Sequence, residues 1–248
     1  MKSLVVANWK MNPGTWREAK KLFEETKRIS GLLKVPVIVA SPSIFLRDIG
    51  AMRRGKIGLA AQNVHFDQTG SYTGEISALQ AKDAKAQYAI VGHAERRAIG
   101  ETDDDVQKKV AALLALDMIP IICLGEQVRD EDGSHFMTVR EQLLTALRDV
   151  PAQKIAKIII AYEPVWAIGA TEPMRPHDMH EMSIYIRKAL VEKYGDVGHK
   201  SIILYGGAVD GTNVASMLEH GGVQGFLVGR ASVDVKRIAE LLRAIKAA

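Results

Sequence analysis

A single cysteine, Cys123, in 248 residues excludes an intramolecular disulfide framework and fits a reducing, cytoplasmic setting. No run of about 18 apolar residues occurs, so no membrane-spanning helix is expected. The opening MKSLVVANWK meets charge early and lacks both a long apolar segment and a small-residue cleavage site, so it reads as a mature start and not as a signal peptide. The formal net charge of +4 is modest, and bases are interspersed with acids instead of forming a block. That excludes nucleic acid as an expected partner, while a mild positive bias suits attraction of a small anion. No linker rich in Pro, Gly or Ser breaks the composition, so residues 1–248 are expected to form one domain. His177 and His180 lie three apart on a helical segment, but no further ligands stand at suitable spacing, and neither a metal nor a cofactor is expected.

What is present is alternation. Eight short β-branched runs, SLVVANW, VPVIVAS, KIGLAAQN, AQYAIVGH, MIPIICLG, KIIIAYEP, SIILYGG and VQGFLVG, are separated by longer segments. Those at 15–33, 103–117, 136–150, 177–194 and 237–248 carry helical periodicity, with shorter helices expected near residues 45 and 80. Strands alternating with helices imply a parallel sheet, and eight of them joined by right-handed crossovers can close into an α/β (β/α)8 barrel. The competing open doubly wound sheet would often carry a glycine fingerprint after its first strand. KMNPGTW stands there instead, and no Walker A pattern occurs.

In such a barrel the reacting groups lie at the C-terminal ends of the strands. Those ends carry Asn8 and Lys10, Gln62 and Asn63, His93 and Glu95, Cys123 and Glu126, Glu163, Gly206 and Gly207, and Gly229 and Arg230. Taken singly, Lys10 reads equally as a surface lysine, His93 as a structural histidine and Glu163 as a buried ion-pair partner. Together they form an acid/base constellation. The glycines of ILYGGAVDG and FLVGRAS allow close backbone approach to a phosphate, or serve plain turns, and a helix starting near Ser232 would add its N-terminal dipole. Cys123 reads as a small buried hydrophobe, and the acidic run Glu101 to Asp105 suits a helix start.

ANWKMN at 7–12, VGHAERR at 91–97, CLGE at 123–126, AYEPVWAIG at 161–169, YGGAV at 205–209 and GFLVG at 225–229 resemble the triosephosphate isomerase family, in its order and spacing and over essentially the full length. The resemblance implies a TIM barrel that interconverts dihydroxyacetone phosphate and glyceraldehyde 3-phosphate without a cofactor. It implies Glu163 as the base, His93 as the electrophile, Lys10 and Asn8 on the substrate oxygens, and Glu95 supporting Lys10. Gly169, Ala208, Gly229 and Arg230 fall on the substrate-binding positions, and 167–174 on a lid that closes over the phosphate. The family is itself a worked case of tuned groups, with a neutral histidine at a helix N-terminus, a glutamate base and a closing loop. The segment 67–77 resembles the family's long third loop, which implies a homodimer with Thr73 near the partner's active site.

There are four departures from the pattern: Ala94 and Ala208 stand where serine is usual, Arg230 where a second glycine is usual, and ATEPM forms the lid tip, with Pro173 stiffening its hinge. Isomerisation is expected to survive these changes, with altered phosphate contacts and lid motion. Two other readings remain at this point: an isomerase of a longer sugar phosphate such as a tetrulose phosphate, and a silent barrel that binds a phosphorylated ligand.

Overall fold

Each of the eight β-branched runs forms a strand: β1 (Leu4–Asn8), β2 (Val37–Ser41), β3 (Gly58–Ala61), β4 (Tyr88–Val91), β5 (Ile119–Leu124), β6 (Ile159–Tyr162), β7 (Ile202–Tyr205) and β8 (Gly225–Val228). These come from a computed structural model that describes residues 3–168, 170 and 173–248. All neighbouring strands pair in parallel and the sheet closes on itself, because β1 pairs with both β2 and β8. Val5 stands level with Val37 on one side and Phe226 on the other. The expected (β/α)8 barrel is the observed fold.

The two-residue period of a strand divides the core into two layers. Val6, Ile38, Ala40, Ile90, Ile121, Ile159, Leu204 and Leu227 fill the barrel interior. Val5, Ala7, Val37, Val39, Val91 and Ile122 point outward to the surrounding helices. A strand covered on both faces must be apolar throughout, which is why these segments read as continuous hydrophobic runs.

The helices cover the outer layer with one face. In α1 (Trp16–Leu33) the buried residues Ala19, Leu22, Phe23, Thr26 and Ile29 recur every three or four positions, and Thr15 caps the first turn by accepting from the Glu18 N–H. The helices α2 (Ser43–Met52) and α3 (Ala78–Asp83) lie where short ones were expected. They are followed by α4 (Ala94–Ala98), α5 (Asp103–Ala115), α6 (Ser134–Ala146), α7 (Ala152–Ile155), α8 (Pro176–Tyr194), α9 (Val214–His220) and α10 (Val235–Ala247). Among the described residues no helix is long and apolar enough to cross a membrane.

Two local expectations are corrected. The segment after β8 is not an α-helix from Ser232: Arg230–Val233 makes a 3-10 turn, and α10 begins only after Asp234, whose carboxylate accepts from the Lys236 and Arg237 N–H groups. Those amides are therefore capped from within and are not offered to a ligand. The acidic run divides: Asp103, Asp104 and Asp105 occupy the first turn of α5 behind a Thr102 capping box, whereas Glu101 turns inward and is buried. No segment was named above for α4, α7 and α9, which at five, four and seven residues are too short for amphipathic periodicity to register.

Candidate active site

At the C-terminal ends of the strands lies a cleft of about 1010 Å³, and Asn8, Lys10, His93, Glu163, Ala208, Gly229 and Arg230 all line it. Gly169 lies outside the described residues, as do Thr171 and Glu172 of the lid tip.

Lys10 holds a left-handed backbone with φ of 53°, a conformation that costs a non-glycine residue about 1–3 kcal/mol and persists only where its surroundings impose it. The Asn8 side chain accepts from the Lys10 N–H at 3.1 Å, and the Gln62 amide donates to its carbonyl at 2.9 Å. The ammonium then donates to Glu95 Oε1 at 2.5 Å. Its stem passes over Gly229, where an added Cβ would stand 3.3 Å from Lys10 Cε.

His93 ends the β4 turn and caps α4. Its Nδ1 accepts from the Glu95 N–H at 3.1 Å, so that nitrogen carries no proton and the ring is the neutral tautomer with its hydrogen on Nε2. Nε2 points at Glu163 Oε1, 3.3 Å away. Both side chains are buried, at 6% and 4% exposure.

Glu163 continues β6, its N–H donating to the Leu124 carbonyl at 2.7 Å. Two glycines make room for it: a Cβ at Gly125 would lie 1.9 Å from the Glu163 carbonyl oxygen, and one at Gly206 only 2.6 Å from its Cγ. The second carboxylate oxygen, Oε2, is buried with no hydrogen-bond partner among the described residues. Orphaning a carboxylate oxygen is costly, and a folded chain keeps such a group where a ligand or a reaction uses it. Ala94, with its methyl group, provides no donor, and the carboxylate's neighbours are His93 and the Cys123 thiol. Burial, followed by the charge of Glu163, pushes the Cys123 thiol well up from its ordinary range, which agrees with an inert packing residue.

Glu126 and Tyr205 anchor the chain on either side of residues 168–173. The buried Glu126 carboxylate accepts from the Tyr162 hydroxyl at 2.9 Å and from Trp166 Nε1 at 2.8 Å, fixing the 3-10 turn Val165–Ala167. The Tyr205 hydroxyl accepts from the Met174 N–H at 3.3 Å, and burial raises it to about 12. Between these anchors Ile168, Ala170 and Pro173 face the cleft.

The rest of the cleft is lined by the segments that follow β7 and β8, together with residues of α10. Ala208 and Gly229 donate their N–H groups to no described acceptor. Asn213 steadies this rim by donating to the Ala208 carbonyl at 2.8 Å, and Ser232 by donating to the Gly229 carbonyl at 2.6 Å. Arg230 is exposed here and has no carboxylate within ion-pair distance among the described residues. ILYGGAVDG reaches this wall at Val209 to Gly211, whereas Thr212, Asn213, Arg237 and Glu240 were not anticipated from the sequence. VDGTN held a turn signal, the Asp-Gly pair, whereas nothing in α10 marked Arg237 or Glu240 as cleft residues. Asp210 is held below the usual carboxylate range, chiefly by hydrogen bonds from the Thr212 hydroxyl and N–H, and so is spent on its own loop. Among the described residues no group of three or more His, Cys, Asp or Glu side chains could hold a metal ion.

The sequence profile described as Triosephosphate isomerase matches residues 3–245. Three curated proteins named triosephosphate isomerase align over nearly the whole chain. That of Endomicrobium trichonymphae is 37% identical over 98% of both chains. That of Alkaliphilus oremlandii is 35% identical over 97% of this chain and 98% of its own. That of Caldanaerobacter subterraneus subsp. tengcongensis is 37% identical over 96% and 98%. With a closed eight-stranded parallel barrel and agreement at this level from end to end, the chain belongs to the triosephosphate isomerase family.

Proposed function

We propose that Glu163, His93 and Lys10 carry out the activity this family membership gives the chain, the interconversion of dihydroxyacetone phosphate and D-glyceraldehyde 3-phosphate. The observation that carries the assignment is the buried, unpartnered Oε2 of Glu163 beside the Nε2–H of a neutral His93. A hydrogen next to a carbonyl is only weakly acidic, so its removal needs a base kept from water and donors aimed at the oxygen that gains charge.

Glu163 takes the proton from the carbon beside the carbonyl. The electrons of that C–H bond form the carbon–carbon double bond, and the carbonyl oxygen becomes the enediolate oxygen. Lys10 Nζ and His93 Nε2–H stabilise the developing charge. Protons then exchange between the two oxygens through His93, and Glu163 returns its proton to the neighbouring carbon. Glu95 holds the Lys10 ammonium, while Asn8 fixes the strained Lys10 backbone.

The phosphate is assigned to the end of the cleft at Ala208 and Gly229, with Arg230 as an added cation. Gly169 belongs to the same set by sequence position. The lid over 167–174 would exclude water and hold back loss of phosphate from the intermediate. A single, buried cysteine, with no disulfide framework, supports a cytoplasmic setting.

A homodimer through residues 67–77 is part of this reading. Residues 68–75 are exposed, and the loop is preformed by the His65–Tyr72 ring contact at 4.0 Å and a Tyr72 hydroxyl donating to Asp67 at 2.5 Å. Met11, at 94% exposure, is an apolar group without cover on the same chain. A dilute sample that sediments as a fully active monomer would contradict the dimer. For the chemistry, Glu163→Gln should lower kcat by at least about 10² to 10⁴ in an assay run with both triose phosphates, and an unchanged kcat would refute the assignment.

A further inference from the structure

Gly92, the residue that precedes His93, is gripped at both of its backbone polar groups by charged side chains. Glu101 Oε2 accepts from the Gly92 N–H at 2.9 Å, and Arg97 Nε donates to the Gly92 carbonyl at 2.8 Å. Gly92 itself has φ of 71°, and a Cβ there would come within 3.0 Å of the Cys123 carbonyl oxygen and 3.1 Å of the Arg97 guanidinium, so no other residue fits without a shift. Behind it, Glu101 pairs with Lys109 of α5, whose ammonium also donates to Asn63 at the end of β3, at 2.9 Å. The Glu101 side chain is 2% exposed and that of Lys109 6%. Arg97 is held in turn by Asp103 at 2.5 Å.

A buried ion pair is a poor source of stability, because desolvation offsets most of its attraction; its best-attested use is to specify one arrangement. Here the arrangement specified is the left-handed turn that carries His93. We infer that Glu101, anchored by Lys109, is a positioning residue for His93: it locks the Gly92 amide so that the imidazole meets Glu163 and the substrate in one orientation. This rests on the reading of His93 given above. Neither Glu101 nor Lys109 lines the cleft, so any effect on catalysis must pass through the turn.

The test separates the hydrogen bond to Gly92 from the charges. Two double variants, Glu101→Gln with Lys109→Met and Glu101→Met with Lys109→Met, both remove the buried charges, but only the first keeps an acceptor for the Gly92 N–H. The first should hold kcat within about threefold of the parent, and the second should lose about tenfold or more while KM moves by less than about threefold. Equal kcat in two folded doubles, checked by circular dichroism below their unfolding transitions, would overturn the inference. The same pair in a His93→Gln background distinguishes the layers. If Glu101 acts through His93, the gap between the doubles closes there; a gap that persists refutes the route while leaving His93 its role. A His93→Gln enzyme with near-parental kcat would instead remove the reading of His93, and this inference with it. The His93 ring nitrogen NMR signals should shift in the Met double and stay near the parental positions in the Gln double.

Discussion

The two ends of the cleft are built from different materials. The end formed by β1, β4 and β6 presents side chains: Lys10 in a strained conformation, His93 with a fixed tautomer, and Glu163 buried with an orphaned oxygen. The end formed by the segments after β7 and β8 is lined by Ala208, Gly229 and the 209–213 loop, with the exposed Arg230 and with Arg237 of α10 as cations. Proton transfer depends on chemical groups that exist only in particular side chains. Phosphate binding needs little more than a concave array of amides and positive charge, which many sequences can supply. The departures from the family pattern at Ala208 and Arg230 therefore fall where side-chain identity matters least, and the side-chain end is intact apart from Ala94.

The largest test of this contrast is Lys10→Ala. It removes the cation assigned above to the enediolate oxygen and should cost about 10² to 10³ in kcat, the scale seen for loss of one oxyanion donor, with KM rising as well. Steady-state assays in both directions would measure it, and a loss below about tenfold would show that the side-chain end is less exacting than its geometry implies. Next comes Gly206→Ala, a change of one methyl group. Because the new Cβ would stand 2.6 Å from Glu163 Cγ, the carboxylate must move, and a displacement near 1 Å should lower kcat by about 10² while leaving the fold intact by circular dichroism.

Smaller effects belong to the lid and the phosphate end. Tyr205→Phe deletes the acceptor for the Met174 N–H, a hydrogen bond worth about 0.5–1.5 kcal/mol, and should slow turnover about two- to tenfold. Stopped-flow and viscosity dependence would show whether the change lies in lid motion. Arg230→Gly should raise KM for the triose phosphates about two- to fivefold with kcat unchanged, and should flatten the dependence of KM on salt. An unaltered KM would mean that the guanidinium faces solvent and that the amides bind phosphate alone. Smallest of all, Cys123 should resist thiol reagents at mildly alkaline pH until the chain unfolds. The thiolate is the reactive form, and burial beside Glu163 disfavours it.

The eight strands were legible because a doubly covered parallel strand leaves an unbroken β-branched run, as in KIIIAY or MIPIIC. Long helices such as α1 and α8 were legible from their apolar spacing. The short α4 and α9 were not, since five to seven residues held by caps and neighbours leave no period to read. In the site, Lys10, His93 and Glu163 stood out as polar groups at the ends of apolar runs. Glu101 did not: it sits in an acidic stretch whose other members cap α5, and only the inward turn of its side chain separates it from them. Arg237 and Glu240 were hidden on the helix α10, whose approach to the 209–213 loop no local pattern announces.

By itself the sequence determined the order and kind of the elements, since each follows from local spacing of apolar residues and from turn chemistry. It also determined which chemical groups arrive at strand ends. The tertiary structure decided how those groups are presented: that Nε2 and not Nδ1 of His93 faces Glu163, that one oxygen of Glu163 is left without a partner, and that Lys109 neutralises Glu101 beneath the turn. The physical reason is range. Periodicity and capping act within a few residues, whereas burial, orientation and charge pairing depend on atoms brought together from strands that closure of the barrel makes neighbours.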